Sequence, residues 1–414
     1  MTRLVVVGAS LAGLRAVEAA RKAGHEGPIT LVGDEPHVPY DRPPLSKAYL
    51  DEGEPEPTTF REEEHLTGEL GVELVLGQGA TGLDTERQEV RVGEERVPYD
   101  ALVVATGARA RTLPQAGSLA GVHALRTLDD AVAVRRELDR GVKVVVVGAG
   151  FIGSEVASGA RKRGLDVTVV EALETPLVRA CGEAPGRWIA GLHERHGTRL
   201  LCGSGVADLH GSGSDGGGRV EAVELTDGTV LPADLVVAGI GAIPNTEWLE
   251  GSGVELENGV VCDATLASSV PGVYAAGDVA SWVNPVFDRR QRLEHWTSAA
   301  EQGAIAARNA LDPANPTAYR TVPYFWSDWY DVRIQFVGTP QADEVLLVDG
   351  DPDAGERWVA LYRSGDRLVG ALTVNGQTEI MKYRGKILKG ATWDDALAFA
   401  DQRKEARAAA ATGG

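Results

Sequence analysis

The sequence feature that most constrains the fold is a strand, a tight turn and a helix at the start of the chain. Leu4 to Val7 is an apolar run of strand length, and a helical pattern of apolar residues begins shortly after it. Gly8 permits the tight turn between them, and Gly13 lets the helix pack closely against the strand. The helix N-terminus presents unpaired N–H groups, so this unit predicts a pyrophosphate-binding site.

Two details of this unit affect that prediction. Ser10 replaces the middle glycine of the motif, and its side chain is expected to hinder the approach of a phosphate to the backbone. The next strand, Ile29 to Val32, is followed by Asp34 and Glu35, where a carboxylate can accept hydrogen bonds from a ribose. Taken alone, the segment leaves open a plain βαβ unit with a surface acid at a strand end.

The same pattern returns at residues 142 to 171, now with all three glycines in place, Gly148, Gly150 and Gly153. Two dinucleotide sites in one chain indicate that electrons pass between two dinucleotides. Glu171 ends the returning strand, where a carboxylate suits the 2′-hydroxyl of NADH and repels the 2′-phosphate of NADPH. The sequence therefore predicts NADH as one cofactor.

A proline-stiffened run, P-Y-D-R-P-P-L-S-K, occupies Pro39 to Lys47. With this run the chain resembles the FAD-dependent ferredoxin reductases, a family that includes putidaredoxin reductase and the reductases of ring-hydroxylating dioxygenases. Further stretches carry the resemblance in the family's order: A-T-G at 105–107, R-T-L-D-D-A at 126–131, G-A-I-P-N at 241–245, A-A-G-D at 275–278, E-H-W-T-S at 294–298 and P-Y-F-W-S-D at 323–328.

The resemblance implies an α/β fold of glutathione-reductase type, with two Rossmann-like dinucleotide-binding domains and a C-terminal α/β domain. The FAD-binding domain would be discontinuous, formed by residues 1–110 and 243–322. The NADH-binding domain would span residues 111–242, and the C-terminal domain residues 323–414.

The implied activity is hydride transfer from NADH to a non-covalently bound FAD, followed by single-electron transfer to an iron–sulfur ferredoxin. Such a ferredoxin serves a haem monooxygenase or a ring-hydroxylating oxygenase. Two alternatives stay open: an enzyme similar to monodehydroascorbate reductase, and an NADH-responsive flavoprotein binding module resembling apoptosis-inducing factor.

The resemblance also implies the site residues. Lys47 and Glu155 would form a catalytic pair, in which the ammonium stabilises negative charge arriving with hydride and the carboxylate holds the ammonium. No metal site is predicted. The residues expected to bind the cofactors are Gly8, Ala12, Gly13, Asp34, Glu35, Arg42, Lys47, Ala80, Thr106, Gly107, Arg126, Gly277, Asp278, Trp296, Trp326, Gly148, Gly150, Phe151, Ile152, Gly153, Glu155, Glu171 and Gly241.

Two of these stretches have further interpretations. Asp278 follows a small-residue strand, so it would accept hydrogen bonds from the ribityl chain of FAD, or would cap a following helix, or both. Trp329 stands where the family often has glutamine, so packing against the flavin is expected to differ there. A helix capped by Thr127 is predicted to follow Arg126.

The remaining pattern predicts elements without assigned chemistry. Residues 211–218 are rich in glycine and serine and predict a loop. In the C-terminal region we predict strands near 345–349, 357–363 and 367–373, and helices near 377–389 and 393–410.

Composition excludes several other classes of protein. The net charge of −19 argues against nucleic acid or an anionic membrane as the partner. No apolar run approaches the roughly 20 residues of a membrane span. No basic and apolar leader precedes the first strand, so we expect a soluble cytoplasmic protein. We also expect a monomer or a weak dimer. The three cysteines, Cys181, Cys202 and Cys262, lack C-x-x-C spacing, which argues against a disulfide reductase.

An acidic ferredoxin would need a local basic patch on this acidic chain. Two groups of basic residues are candidates for that patch: Arg289, Arg290 and Arg292, and, in the C-terminal region, Lys382, Arg384, Lys386 and Lys389. A solvated basic helix face is the alternative for the second group.

Overall fold

The computed structural model describes residues 1–114, 116, 119–213, 218–353 and 357–412. Of the predicted loop at 211–218, residues 214–217 lie outside the described residues. In chain order the strands are β1 (Leu4–Val7), β2 (Ile29–Val32), β3 (Val72–Val75), β4 (Ala80–Asp84), β5 (Glu89–Val92), β6 (Glu95–Pro98), β7 (Ala101–Val104), β8 (Ala108–Ala110), β9 (Val122–Ala124), β10 (Val144–Val147), β11 (Val167–Glu171), β12 (Arg199–Cys202), β13 (Val206–Gly211), β14 (Val220–Leu225), β15 (Val230–Pro232), β16 (Leu235–Ala238), β17 (Ala242–Pro244), β18 (Val260–Cys262), β19 (Val273–Ala275), β20 (Ala280–Asn284), β21 (Arg289–Arg292), β22 (Tyr324–Trp329), β23 (Val332–Gly338), β24 (Glu344–Gly350), β25 (Trp358–Ser364) and β26 (Arg367–Val374).

Helices separate many of these strands. They are α1 (Leu11–Lys22), α2 (Leu128–Leu138), α3 (Phe151–Lys162), α4 (Val178–Cys181), α5 (Glu183–Arg195), α6 (Trp296–Leu311), α7 (Gln377–Leu388) and α8 (Trp393–Thr412). Short 3₁₀ turns occur at Pro43–Ser46, Ala48–Leu50, Glu247–Leu249 and Gly277–Val279, and a π-helical turn at His65–Glu69. In the described part of the chain, no helix is both long and apolar enough to cross a membrane.

The chain forms two compact units. The first contains residues 1–41, 57–109 and 242–321. Its centre is a five-stranded sheet in the order β19-β7-β1-β2-β3, whose strands are parallel. The strands are buried on both faces, as the continuous apolar runs at Leu4–Val7 and Ala101–Val104 require. Close contact between α1 and α6 depends on Gly303, because a Cβ there would lie 2.1 Å from the carbonyl oxygen of Ala12.

The second unit contains residues 42–56, 110–241 and 322–414. It has a parallel five-stranded sheet in the order β12-β11-β10-β16-β9, which repeats the arrangement of the first sheet. The predicted cap of α2 is confirmed, since the Thr127 hydroxyl accepts a hydrogen bond from the backbone N–H of Asp130, and the Asp130 carboxylate accepts one from the backbone N–H of Thr127. Two parallel sheets of this kind agree with the predicted α/β fold.

The second unit also contains an antiparallel sheet in the order β22-β23-β26-β25-β24. The strands predicted in this region are confirmed as β24, β25 and β26, and the helices as α7 and α8. One face of the sheet joins an apolar cluster with residues from α4 and α5, which include Cys181, Ile189 and Leu192. The predicted division into three domains stays a prediction. The second compact unit contains both the second parallel sheet and the C-terminal region.

Candidate functional site

The first glycine turn is built as its sequence predicts. Gly8 has φ of +124°, and a Cβ there would lie 2.0 Å from the carbonyl oxygen of Ala105. A Cβ on Gly13 would lie 1.9 Å from the carbonyl oxygen of Gly8. Both positions therefore require glycine. Ser10 has φ of −123°, which any residue adopts, so the backbone itself does not require glycine at the position where the sequence departs from the motif.

The predicted residues of the first unit lie at one edge of its parallel sheet. Gly8, Asp34, Thr106 and Gly277 follow the carboxyl ends of β1, β2, β7 and β19. Open α/β sheets bind ligands at this edge. Thr106 donates a hydrogen bond to the carbonyl of Asn245 at 2.8 Å, which ties together the two chain segments that leave the unit here.

The acids after β2 are arranged differently from each other. Asp34 is exposed, whereas Glu35 is half-buried and accepts a hydrogen bond of 2.5 Å from the hydroxyl of Tyr40. Ala80 begins β4 and follows Gly79, and a Cβ on Gly79 would lie 2.8 Å from Oδ1 of Asp34. Asp34 and Ala80 are thus close together, as a shared binding site requires.

Asp278 lies in the 3₁₀ turn at Gly277–Val279, and strand β20 follows directly. The interpretation of Asp278 as a helix cap is therefore wrong, because the chain continues as a strand that pairs with β18. Gly277 has φ of +79°, and its N–H donates to Oε1 of Gln302 at 2.8 Å. The turn is consequently held by α6.

Trp296, at the start of α6, donates its indole N–H to Oδ1 of Asp41 at 2.7 Å. His295 precedes it, and burial lowers the pKa of His295 to about 4, against an opposing effect of Asp278. The imidazole is therefore neutral at physiological pH.

The second glycine turn, in the second unit, repeats the geometry of the first. Gly148 has φ of +99°, and a Cβ on Gly153 would lie 2.2 Å from the carbonyl oxygen of Gly148. Gly150 has φ of −77°, and a Cβ there would lie 3.7 Å from the carbonyl oxygen of Gly239, an ordinary van der Waals contact. In both turns, then, the backbone requires the first and third glycines and tolerates a side chain at the second.

Glu171, at the end of β11, is fixed beside this turn. Its carboxylate accepts hydrogen bonds from the N–H groups of Ala149 and Leu173, at 2.9 and 3.0 Å. The strands β11, β10 and β16 are neighbours in the sheet. Gly148 follows β10, Glu171 ends β11, and Gly241 lies shortly after β16. The predicted NADH-binding residues of this sheet therefore share its carboxyl edge.

Lys47 and Glu155, for which the sequence predicts a pair, form an ion pair in the second unit. The Nζ atom of Lys47 lies 2.8 Å from Oε2 of Glu155, whose side chain is only 4% exposed. Lys47 directly follows the 3₁₀ turn at Pro43–Ser46, and Glu155 lies in the first part of α3. The pairing is confirmed, and its catalytic role stays a prediction.

Two serines at this pair are not found by sequence reasoning. Ser46 donates to Oε2 of Glu155 at 2.5 Å, and Ser327 of β22 donates to Oε1. Trp329 donates its indole N–H to the hydroxyl of Ser327 at 2.9 Å. For Ser327 the sequence offers one weak signal, a serine whose neighbours on the same face of the strand, Phe325 and Trp329, are apolar; partners so far apart in the chain leave no local pattern.

The other predicted residues of the second unit lie around this region. Arg42 donates to the backbone carbonyl of Arg126 at 2.8 Å. The ring of Phe151 lies 4.7 Å from that of Phe325, and Ile152 beside it is 40% exposed. Trp326 stacks on Tyr324 with a centroid separation of 5.8 Å.

The three cysteines are unpaired, and burial raises the pKa of Cys181 and of Cys262 to about 12. Burial also raises the pKa of Cys202, with Glu171 and Glu174 adding to the effect. Thiols with raised pKa values are poor nucleophiles. Redox chemistry in this chain therefore does not rest on a reactive cysteine.

The two groups of basic residues differ in how far their side chains are available to a partner protein. Arg290 donates to the carbonyls of Cys262 and Ser281, at 2.9 and 2.6 Å, so its guanidinium is used within the first unit. Arg292 likewise donates to the carbonyl of Asp278 at 3.0 Å and pairs with Glu294 at 2.9 Å.

In the second group, Lys382 and Lys389 are exposed. Lys386 lies 4.6 Å from the ring centroid of Phe399, and Arg384 donates to the carbonyl of Val322 at 2.8 Å. Of these four residues, Lys382 in α7 and Lys389 just after it are therefore the two whose side chains are most available to a partner.

These features fit two dinucleotides. In each glycine turn the backbone packs too closely for a Cβ at the first and third glycines, and each turn leads into a helix whose first N–H groups can bind a phosphate. Glu35 lies shortly after β2 in the first sheet and Glu171 ends β11 in the second, which are the positions that ribose recognition requires. The donor set thus fits FAD in the first unit and NADH in the second.

Residues 2–303 match the family described as pyridine nucleotide-disulphide oxidoreductase, and residues 324–410 match the reductase C-terminal family. Rhodocoxin reductase of Rhodococcus erythropolis is 37% identical over 388 residues, covering 93% of this chain and 89% of the relative. The ferredoxin–NAD(+) reductase component of the biphenyl dioxygenase system of Paraburkholderia xenovorans is 38% identical, covering 91% and 90%. The solved covalent complex of putidaredoxin reductase with putidaredoxin matches with a TM-score of 0.88 at 34% identity, covering 94% of this chain and 93% of that one.

Proposed function

The chain belongs to the pyridine nucleotide-disulphide oxidoreductase family, and from this we propose that it is an NADH-dependent ferredoxin reductase that binds FAD. The resemblance that the sequence predicts is confirmed by relatives that are ferredoxin reductases of oxygenase systems. The predicted oxidoreductase class and the α/β fold with two dinucleotide-binding sheets are confirmed with it.

The observation that carries the proposal is that the carboxyl edges of the two parallel sheets have the same arrangement. Each unit has its own glycine turn at the carboxyl edge of a parallel sheet, and each turn is followed by an acid after the second strand. FAD, when bound, supplies the capacity to accept a hydride and to release single electrons. The protein's part is to bind and orient the two dinucleotides and to hold charge near the reacting atoms.

We assign a specific role in this function to each of several residues. The turns at Gly8 and Gly148 bind the pyrophosphates, and Glu171 selects NADH by accepting hydrogen bonds from the adenosine ribose. Lys47, held by Glu155, supplies the positive charge that stabilises negative charge arriving with hydride. Asp278, at the end of β19, accepts hydrogen bonds from the ribityl chain of FAD.

The electron acceptor is an iron–sulfur ferredoxin that serves a haem monooxygenase or a ring-hydroxylating oxygenase, as the names of the relatives support. Lys382 and Lys389 at α7 form the docking patch for this acidic partner. A cytoplasmic location is supported by three cysteines that are unpaired in the structure.

The experiment that tests the proposal uses purified FAD-loaded protein in a stopped-flow instrument. We expect NADH to bleach the flavin absorbance rapidly, and a ferredoxin from a panel of purified [2Fe–2S] proteins to restore it rapidly. Asp278→Ala should lower FAD retention during gel filtration. Protein that cannot be reconstituted with FAD contradicts the proposal.

The alternatives give different results in the same experiment. Fast reoxidation by the monodehydroascorbate radical, with no ferredoxin active, identifies the first alternative. Slow reduction by NADH that changes association with another protein identifies a binding module resembling apoptosis-inducing factor.

A further inference from the structure

We propose that Ser327 and Trp329 are positioning residues for the Lys47–Glu155 pair, an inference that rests on the role assigned to that pair above. The hydroxyl of Ser327 orients the carboxylate of Glu155, and the indole of Trp329 orients that hydroxyl. Neither residue needs to touch a cofactor for this role.

The strand that carries both residues places them on one face. Side chains alternate along β22, so Phe325, Ser327 and Trp329 point to the same side of the sheet. Ser327 and Trp329 are both 0% exposed, and the ring of Phe325 lies 4.7 Å from that of Phe151 at the start of α3. This face therefore packs against the helix that carries Glu155.

The chemistry of the donors fixes the direction of the hydrogen bonds. An indole N–H can only donate, so the oxygen of Ser327 must accept from Nε1 of Trp329, at 2.9 Å. The single proton of the Ser327 hydroxyl is then available for Oε1 of Glu155, and an ionised carboxylate only accepts. The two hydrogen bonds therefore donate in one direction, from Trp329 to Ser327 and from Ser327 to Glu155.

The two oxygens of Glu155 divide their partners. Oε2 accepts from Lys47, at 2.8 Å, and from Ser46, at 2.5 Å, whereas Oε1 accepts from Ser327. The carboxylate is nearly fully buried, so loss of the Ser327 hydroxyl would leave Oε1 short of a donor in a region of low dielectric. The carboxylate would then rotate or shift, and Lys47 would move with it.

The indole has little freedom to turn away. Its ring lies 5.1 Å from the ring of His193, centroid to centroid. His193 is itself held at both nitrogens, by the hydroxyls of Ser154 at 3.2 Å and Tyr330 at 2.7 Å. Trp329 is thus fixed by packing, and its N–H presents a steady donor to Ser327.

The kinetic test measures flavin reduction by NADH in the FAD-loaded protein. We expect Ser327→Ala to slow this step about 10- to 100-fold, as for loss of a hydrogen bond to a charged group, and Trp329→Phe to slow it about 3- to 10-fold. The double variant should be no slower than Ser327→Ala, because Trp329 acts only through Ser327. If the two effects multiply, Trp329 acts independently and the proposal is overturned.

Two further variants separate the hydrogen bond from packing. Ser327→Cys keeps a side chain of similar shape but donates weakly, so it should also be slow, and a wild-type rate would overturn the role of the hydroxyl. Ser252→Ala is the matched control. It removes a buried serine hydroxyl of the first unit, one that donates to the carbonyl of Leu249 at 2.6 Å, and should leave the rate unchanged.

A spectroscopic readout tests the positioning independently of activity. The indole N–H resonance of Trp329, one of eight tryptophans, is assigned by its absence in Trp329→Phe. It should move upfield in Ser327→Ala and stay in place in Ser252→Ala, and an unmoved resonance in Ser327→Ala overturns the proposal. If Glu155→Gln reduces flavin at the wild-type rate, the catalytic role of the pair fails, and the indole resonance still decides whether Ser327 and Trp329 are coupled.

Discussion

The carboxylate of Glu171 accepts a hydrogen bond from the backbone N–H of Ala149, which lies inside the second glycine turn, at 2.9 Å. A second bond, from Leu173 at 3.0 Å, holds its other oxygen. These two bonds hold the carboxylate beside the turn, so under the proposed role of Glu171 its negative charge would stay in place when a 2′-phosphate arrives.

Glu171→Gln should therefore narrow the preference for NADH over NADPH by about 1–3 kcal/mol, since the like-charge repulsion is removed. The measurement is kcat/KM with each nucleotide. Glu174→Gln is the control, because this acid is exposed and lies three residues further along. Equal efficiency with both nucleotides in the unchanged protein would contradict the role of Glu171.

Protonation of His193 should make the protein less stable in acid. Burial lowers the pKa of His193 to about 4, and the nearby His196 adds to the effect. Since the unfolded chain takes up the proton near pH 6.5 and the folded chain only near pH 4, stability falls as pH drops through this window and levels off below it. The total loss is about 3 kcal/mol.

His193→Gln should flatten the fall in stability between pH 6.5 and pH 4, as measured by thermal unfolding at a series of pH values. The pKa of His295 is lowered to about 4 as well, so part of the slope should remain. A slope identical to that of the unchanged protein would show that His193 is not the group responsible.

Several parts of this structure follow from the sequence because their cause is local. The two glycine turns, the cap at Thr127 and the strands of the C-terminal sheet each depend on residues close together in the chain. The ion pair of Lys47 and Glu155 is found through the family resemblance, which carries information that spacing does not.

The parts that sequence reasoning misses depend on contacts across long stretches of chain. Ser327 and Ser46 meet Glu155 only in the folded protein, so no spacing indicates them. Asp278 follows a strand and a glycine, as a helix cap also would, and only the strand that follows it removes that interpretation. Ser10 is accommodated because its φ is negative, a value that sequence alone does not give.

A buried charge cluster should anchor α8 to the C-terminal sheet. Arg357 pairs with Asp349 at 2.5 Å and with Glu379 at 2.9 Å, and Arg407 of α8 pairs with both acids. The acids are only 11% and 2% exposed, so removing a partner leaves charge buried and underpaired.

Arg407→Met should destabilise the docking of α8 by about 3 kcal/mol, measured as faster hydrogen exchange of the α8 amides. The control is Arg187→Ala, which breaks an ion pair with Glu183 whose side chains are 62% and 65% exposed, and it should change stability by less than about 0.5 kcal/mol. Unchanged exchange in Arg407→Met would show that the cluster does not hold the helix.

Charge reversal at α7 should weaken the encounter with ferredoxin. The double variant Lys382→Glu with Lys389→Glu should raise the KM for ferredoxin, by about 10-fold at low salt, and leave flavin reduction by NADH unchanged. Lys22→Glu, at an exposed position at the end of α1, is the control. If the rate with ferredoxin shows no dependence on ionic strength in the unchanged protein, steering by these lysines does not occur.

The most direct test of the account is a double-mutant cycle on Lys47 and Glu155, with flavin reduction by NADH followed in a stopped-flow instrument. Lys47→Met and Glu155→Gln should each slow the step, and the double variant should lose less than the sum of the two free-energy effects, because the ion pair acts as one unit. If both single variants reduce the flavin at the wild-type rate, the pair is only structural and its proposed role in hydride transfer is wrong.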